Sequence, residues 1–110
     1  MSGRGLWAVQ RITAMFLALA VLVHLATILV AVRGGLSAAE ILARTQGNEA
    51  WLGFYASFAL AAGLHGAIGL RAIAGEWLGW RGRGFDAAWL AAGLLTAALG
   101  IRAAIGLYAA

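Results

Sequence analysis

Three long apolar stretches dominate the chain, and most of its charged residues lie between them. Each stretch is about 20 residues long, the length that an α-helix needs to cross the hydrocarbon core of a bilayer. Alanine, leucine and glycine dominate all three, whereas a membrane β-barrel needs segments of about 10 residues with alternating polarity. The pattern therefore predicts transmembrane helices over about residues 8–32, 51–73 and 87–108. The first apolar run is longer than that of a signal peptide and no small-residue cleavage site follows it, so we expect it to remain in the protein.

The segments between the predicted spans also carry local signals. Ser37 and Glu40 have the spacing of a capping box, and Gly47 is a plausible stop, which together predict a short helix in the first connection. The second connection, about residues 74–86, alternates tryptophan and arginine. We expect it to lie along the lipid headgroups.

Composition supports a membrane protein over a soluble one. Of the 110 residues, 64% are hydrophobic and 11% are charged, and the mean hydropathy is +0.90. So few charged side chains cannot cover a soluble domain. The sequence thus predicts an all-α membrane protein made of a single domain, 1–110. Because the chain has no cysteine, disulfides, thiolate metal sites, iron–sulfur ligation and cysteine nucleophiles are excluded.

The arginines predict the orientation of the chain in the membrane. All eight basic residues are arginines, and they are spread between apolar runs, which indicates membrane borders and no nucleic-acid binding. The N-terminus and the second connection carry five of them, and the first connection carries two. The positive-inside rule therefore predicts a cytoplasmic N-terminus and an external C-terminus. Tryptophans and tyrosines then form belts at the two interfaces: Trp7, Trp77, Trp80 and Trp89 inside, and Trp51, Tyr55 and Tyr108 outside.

Both histidines of the chain, His24 and His65, fall inside predicted spans. Ionisable side chains at this depth are costly, and they commonly mark functional sites. A neutral histidine that is hydrogen-bonded to a neighbouring helix is the structural alternative.

The helix face around His65 is nearly bare of side chains. At 100° per residue, Ala61, Ala62, Gly66 and Gly69 lie near His65 on one face. A flat macrocycle coordinated by the histidine needs such a surface, although close packing of two helices through small residues has the same spacing. Arg71 lies about 9 Å further along the axis. It can meet a haem propionate or a lipid headgroup there, or extend to the interface as membrane arginines do.

These residues carry a family resemblance. Residues 65–71, HGAIGLR, together with Glu76 eleven positions after the histidine, resemble the second-helix motif of the succinate dehydrogenase/fumarate reductase cytochrome b membrane-anchor subunits. Residues 10–13, QRIT, are similar to the entry of the first helix in that family. The chain departs from the family at three positions: Ala14 stands where a glycine is usual, Trp7 stands where a quinone-contacting serine is usual, and Glu76 stands where an aspartate is commoner.

The resemblance implies a role for the chain. Such subunits anchor a flavoprotein and an iron–sulfur protein to the bacterial cytoplasmic membrane, pair with a second membrane anchor in a larger helical bundle, bind haem b and help to form the site where quinone is reduced. The chain itself is then a multi-pass anchor without catalytic residues. By position, His65 is the axial ligand of haem b, and Arg11 and Arg71 lie near the haem propionates and the quinone. We expect the quinone site at the cytoplasmic interface, near Arg11, Thr13, Glu76 and Trp77. The alternative is that Arg11, Glu76 and Trp77 are only interfacial anchors.

His24 resembles the first-helix histidine of the two-haem anchors. It lies about 20 Å beyond the cytoplasmic start of its helix, and His65 lies about 9 Å from the cytoplasmic end of the second span. A difference of about 10 Å in depth disfavours one haem bridging both rings, so His24 is the candidate ligand of a second haem. A hydrogen-bonded membrane histidine remains the alternative.

Two other functions compete with a haem-binding anchor. One is a haem-free structural anchor of the same type of complex. The other is a small membrane transporter, which needs a carboxylate within the membrane for proton coupling. None of the four acidic residues lies within a predicted span, so the sequence disfavours the transporter.

Overall fold

The computed structural model of the chain describes residues 3–110. Within that range the chain forms four helices and no strand. They are α1 (Gly3–Gly34), α2 (Ala38–Thr45), α3 (Glu49–Leu78) and α4 (Arg83–Ala109). By length and composition, α1, α3 and α4 can each cross a membrane. The predicted all-α fold with three membrane spans is therefore confirmed, and each helix is longer than the pattern indicated.

Side-chain caps set the start of the helices on either side of the first connection. The Ser37 hydroxyl accepts a hydrogen bond from Glu40 N at 3.2 Å and begins α2. Asn48 Oδ1 accepts from Trp51 N at 3.2 Å and begins α3. The short helix predicted in this connection is thus confirmed, with the capping serine in the predicted place.

The second connection is shorter than predicted. The predicted bounds of this connection, 74–86, are wrong, because α3 continues to Leu78 and α4 begins at Arg83. Gly79 ends α3 in the left-handed region, at φ 69°, and Gly82 precedes α4 at φ 117°. Glycine adopts such angles without strain, so the reversal is confined to residues 79–82.

α3 packs against both of the other spans. It meets α4 through what we call the small-residue seam. A Cβ atom added to Gly93 would lie 2.6 Å from Ala67 Cβ and 2.9 Å from Gly63 O, and one added to Gly100 would lie 2.5 Å from Ala59 Cβ. The two backbones therefore approach as closely as the residues allow, as in membrane helix pairs built on glycine and alanine. The small-residue seam consists of Ala59, Gly63, Ala67, Gly93, Ala97 and Gly100.

The outer faces of the bundle are apolar and exposed. Leu19 and Val30 of α1 and Leu95 of α4 are more than half exposed, whereas the buried apolar residues are all alanines. The hydroxyls of Ser57 and Thr96 donate to carbonyls four residues back in their own helices, at 2.8 Å. Hydrogen-bond donors on these faces are thus satisfied internally, as a helix surrounded by lipid or by other membrane helices requires.

The segment that ends α2 binds the last turn of α4. Gly47 N donates to Tyr108 O at 2.9 Å, Thr45 Oγ1 lies 3.4 Å from Leu107 O, and Gln46 Nε2 donates to Ala110 O. The terminal carbonyls of a helix lack partners within the helix. Here a segment from the first connection supplies those partners.

Candidate functional site

The polar side chains in the middle of α1 lie on one stripe that faces α3. From residue 10 onward, the residues of α1 that are buried or half-buried recur at alternating intervals of three and four, and all the others are exposed. This spacing follows one face of a helix. The stripe consists of Gln10, Thr13, Leu17, Ala20, His24, Thr27 and Ala31. We call the contact between this stripe and α3 the polar seam.

His65 meets Thr13 in the polar seam. Thr13 Oγ1 lies 3.2 Å from His65 Nδ1, and it also lies 2.7 Å from Val9 O and 3.1 Å from Gln10 O. Thr13 is only 7% exposed, so the contact is sheltered from water. The structure thus brings together the predicted haem ligand and one of the predicted quinone residues, which lie 52 positions apart.

The small residues that flank His65 have different surroundings. Gly66 borders open space, since a Cβ added there would meet no atom within 4 Å. Gly69 instead faces Gln10, whose Nε2 would lie 3.3 Å from such an atom. Ala61 is buried, at 8% exposure. Part of the bare face predicted from the sequence is therefore covered by neighbours, and the open part lies on the Gly66 side.

A buried polar atom lies close to this contact. Gln10 Oε1 has no hydrogen-bond partner within residues 3–110, and Gln10 is one helical turn from Thr13. Buried oxygens of this kind are nearly always paired in complete structures. The Gln10 oxygen therefore marks a place where the chain lacks a donor.

His24 lies at another level of the polar seam. Its ring contacts Tyr55 and Phe58 edge to face, with centroid distances of 6.0 and 5.5 Å. Its Nδ1 is buried and has no partner among the described residues. Along α3, Phe58 precedes His65 by seven residues, which is about 10 Å. The structure therefore does not bring the two histidines together.

A cavity of about 330 Å³ lies between α3 and α4 at the end of the bundle that holds the N-terminus. Arg71 Nε is 2.7 Å from Asp86 Oδ1, and both side chains are nearly half exposed. Asp86 was not singled out from the sequence, because an ion pair across the turn between two helices has no local signal. The cavity is lined by Arg71, Ala72, Gly75, Glu76, Trp80, Arg81, Gly82, Phe85 and Asp86.

The four residues of the predicted quinone site have different surroundings. Thr13 is committed to the polar seam, whereas Glu76 lines the cavity beside Arg71. The Arg11 guanidinium lies over the Trp7 ring, 5.4 Å from its centroid. Trp77 is 81% exposed. Because α3 remains helical to Leu78, Trp77 projects outward from the bundle while Glu76 lines the cavity.

Comparison with known families decides the class of protein. The chain matches the family model described as succinate dehydrogenase/fumarate reductase transmembrane subunit over residues 2–105. The chain belongs to this family. No curated protein and no solved structure matches it. The resemblance found in the sequence motifs is thus confirmed, and the match covers nearly all of the three spans. The chain is a multi-pass membrane subunit of a succinate dehydrogenase/fumarate reductase complex.

The two histidines differ in their polar partners. No cluster of three or more histidine, cysteine, aspartate or glutamate residues that could hold a metal ion exists between residues 3 and 110. His65 is the histidine whose second ring nitrogen is held by a neighbouring side chain.

Proposed function

We propose that this chain is the cytochrome b membrane anchor of a succinate:quinone oxidoreductase, with His65 as an axial ligand of haem b. The observation that carries the proposal is the contact between Thr13 Oγ1 and His65 Nδ1. Metal-binding histidines typically engage one ring nitrogen with a neighbour while the other binds the metal. The family match supplies the type of complex.

The surroundings of His65 fit a haem group. The open space beside Gly66 leaves room next to the ligand. Since the chain offers one ligand at this level, we propose that a histidine of the second membrane anchor supplies the other. When bound, haem b supplies a one-electron centre inside the membrane.

The arginines have different partners. Arg71 pairs with Asp86, whereas Arg11 contacts the Trp7 ring and has no carboxylate partner among residues 3–110. We therefore assign to Arg11 the role of meeting a haem propionate or a quinone oxygen. Arg71 would do so only after leaving Asp86.

The proposed quinone site lies at the cytoplasmic end of the bundle. Glu76 lines the cavity there and can exchange protons with water, and aromatic side chains of Trp80 and Phe85 give the cavity an apolar wall. Trp77, on the exposed surface, is available to a partner subunit. The flavoprotein and iron–sulfur subunits that the family implies would dock on this arginine-rich end.

His24 is the less suitable of the two histidines. The rings of Tyr55 and Phe58 occupy the space beside it. We therefore propose one haem for each copy of the chain, and we interpret His24 as a membrane histidine packed among aromatic rings. A second haem would require these rings to move.

The test uses the complete complex purified from membranes. His65→Ala should remove the b-type band from the reduced-minus-oxidised spectrum, whereas the matched change His24→Ala should leave it in place. Haem content per flavin gives the stoichiometry, with one haem expected. An unchanged spectrum in His65→Ala contradicts the assignment. A wild-type complex that lacks haem indicates the haem-free anchor instead.

A further inference from the structure

Thr13 is the residue of α1 that contacts the imidazole of His65, 3.2 Å from Nδ1. We propose that Thr13 is a positioning residue: its hydroxyl accepts a hydrogen bond from His65 Nδ1–H, so that Nε2 is the nitrogen presented to iron. This role rests on the proposed ligation of haem b by His65. Thr13 is then assigned to the orientation of His65 and no longer to the quinone site.

The direction of the hydrogen bond follows from a count of protons. The Thr13 hydroxyl carries a single proton, and three polar atoms surround it: the carbonyl oxygens of Val9 at 2.7 Å and Gln10 at 3.1 Å, which can only accept, and His65 Nδ1 at 3.2 Å, which accepts or donates according to its tautomer. The shortest of the three bonds takes the proton, so the hydroxyl donates within α1. Its lone pairs then remain as acceptors, and His65 Nδ1 is the one of the three atoms that can donate to them.

The tautomer of His65 follows from that direction. A neutral imidazole has one N–H group. If Nδ1 carries the proton and donates it to Thr13, Nε2 keeps its lone pair, which is the form that binds a metal. The hydrogen bonding of the Thr13 hydroxyl to backbone carbonyls of α1 holds the hydroxyl in place. The β-branched side chain of Thr13 also has few rotamers. The acceptor that orients the imidazole is therefore rigid.

The hydrogen bond also affects how strongly the ring donates electrons. An acceptor on Nδ1–H increases the basicity of the ligand, and a more basic ligand favours the oxidised iron. Removing the acceptor should thus shift the midpoint potential of the haem in the positive direction. A residue that serves packing alone would leave the potential unchanged.

The experiment compares variants in the full complex. Thr13→Val keeps the shape of the side chain but removes the acceptor, and it should raise the midpoint potential in a redox titration and change the g values of the oxidised haem in electron paramagnetic resonance. Thr13→Ser keeps the hydroxyl and should restore both values. The matched control is Thr27→Val, on the same stripe of α1, where the hydroxyl donates to Val23 O.

The outcomes separate this inference from the proposed function. A wild-type complex without a b-type band contradicts the haem assignment itself. A normal wild type with an unchanged potential and unchanged g values in Thr13→Val overturns the role of Thr13 and leaves the haem assignment intact.

A second measurement covers the case in which Thr13→Val does not assemble. The wild-type complex is prepared from a haem-deficient host with ¹⁵N-histidine in this chain, and the His65 signals are identified by their loss in His65→Ala. We expect His65 Nδ1 to carry the proton and Nε2 to carry none. The opposite tautomer overturns the proposal.

Discussion

The two contact surfaces of α3 differ in what they are made of. On the small-residue seam, α3 and α4 meet through glycine and alanine, with backbone atoms close enough to exclude a methyl group. On the polar seam, α1 brings an amide, two hydroxyls and an imidazole toward α3. Along this seam there is no room for a ligand, and the cavity between α3 and α4 lies beyond its end. The difference teaches that α3 packs closely on α4 along the seam, whereas its sheltered polar contact is with α1.

Glycine has a different structural role on each of two faces of α3. Gly63 is required because Gly93 O occupies the place of its Cβ, whereas Gly66 borders open space. Glycines in one segment of a helix can therefore serve close packing at one position and leave open space at another. The spacing of the glycines in the sequence does not distinguish the two roles. Close helix packing and a bare surface beside the histidine are both present, on different faces of one helix.

The largest effect is expected from a large side chain introduced into the small-residue seam. Gly93→Leu would place its Cβ 2.6 Å from Ala67 Cβ and 2.9 Å from Gly63 O. Overpacking of this kind costs about 1–3 kcal/mol, and more where backbone must move. We expect loss of the assembled complex, measured as the yield and thermal stability of the detergent-solubilised protein. Gly106→Leu is the control on the same helix, since nothing lies within 4 Å of Gly106. Equal stability of the two variants would contradict the close approach of α3 and α4.

A smaller and more selective effect is expected near the N-terminal end of α1. Arg11→Leu should reduce succinate-to-quinone electron transfer by about tenfold or more, which corresponds to about 1.4 kcal/mol. It should leave the reduction of a soluble artificial acceptor unchanged, because the flavoprotein is not altered. Arg33→Leu, at the other end of the same helix, should change neither rate. Wild-type quinone reduction in an assembled Arg11→Leu complex means that Arg11 is an interfacial anchor.

The smallest effect is expected at the ion pair that joins the ends of α3 and α4. Arg71→Gln breaks an ion pair with Asp86 whose two side chains are 41% and 49% exposed. Exposed pairs contribute little to stability. Thermal stability and the haem potential should both stay close to the wild-type values. A displaced potential would mean that Arg71 leaves Asp86 in the complex and contacts the haem.

Sequence reasoning predicted the features that are local in the chain. The three spans follow from uninterrupted apolar runs, and the start of α2 follows from Ser37 and Glu40, because both signals lie within a few residues. The contact between Thr13 and His65 could not be predicted, since it depends on how far two helices are rotated and shifted relative to each other. In α1 most lipid-exposed positions are as apolar as buried ones, so its pattern hardly indicates which face meets α3.

The end of α3 differs from the sequence prediction for a related reason. The alternation of tryptophan and arginine predicts an interfacial loop that includes Trp77 and Leu78, although no residue before Gly79 stops a helix. Because the helix continues to Leu78, Glu76 lines the cavity and Trp77 lies on the outer surface. These surroundings could be assigned only from the structure.

The bonds between the end of α2 and the last turn of α4 join residues 62 and 64 positions apart. During synthesis, Thr45 and Gln46 emerge from the ribosome well before their carbonyl partners exist. Those partners reach the same side of the membrane only when α3 and α4 have both crossed it. The contact therefore closes as a final step of insertion, and it can form only in a chain whose second and third spans are both in place.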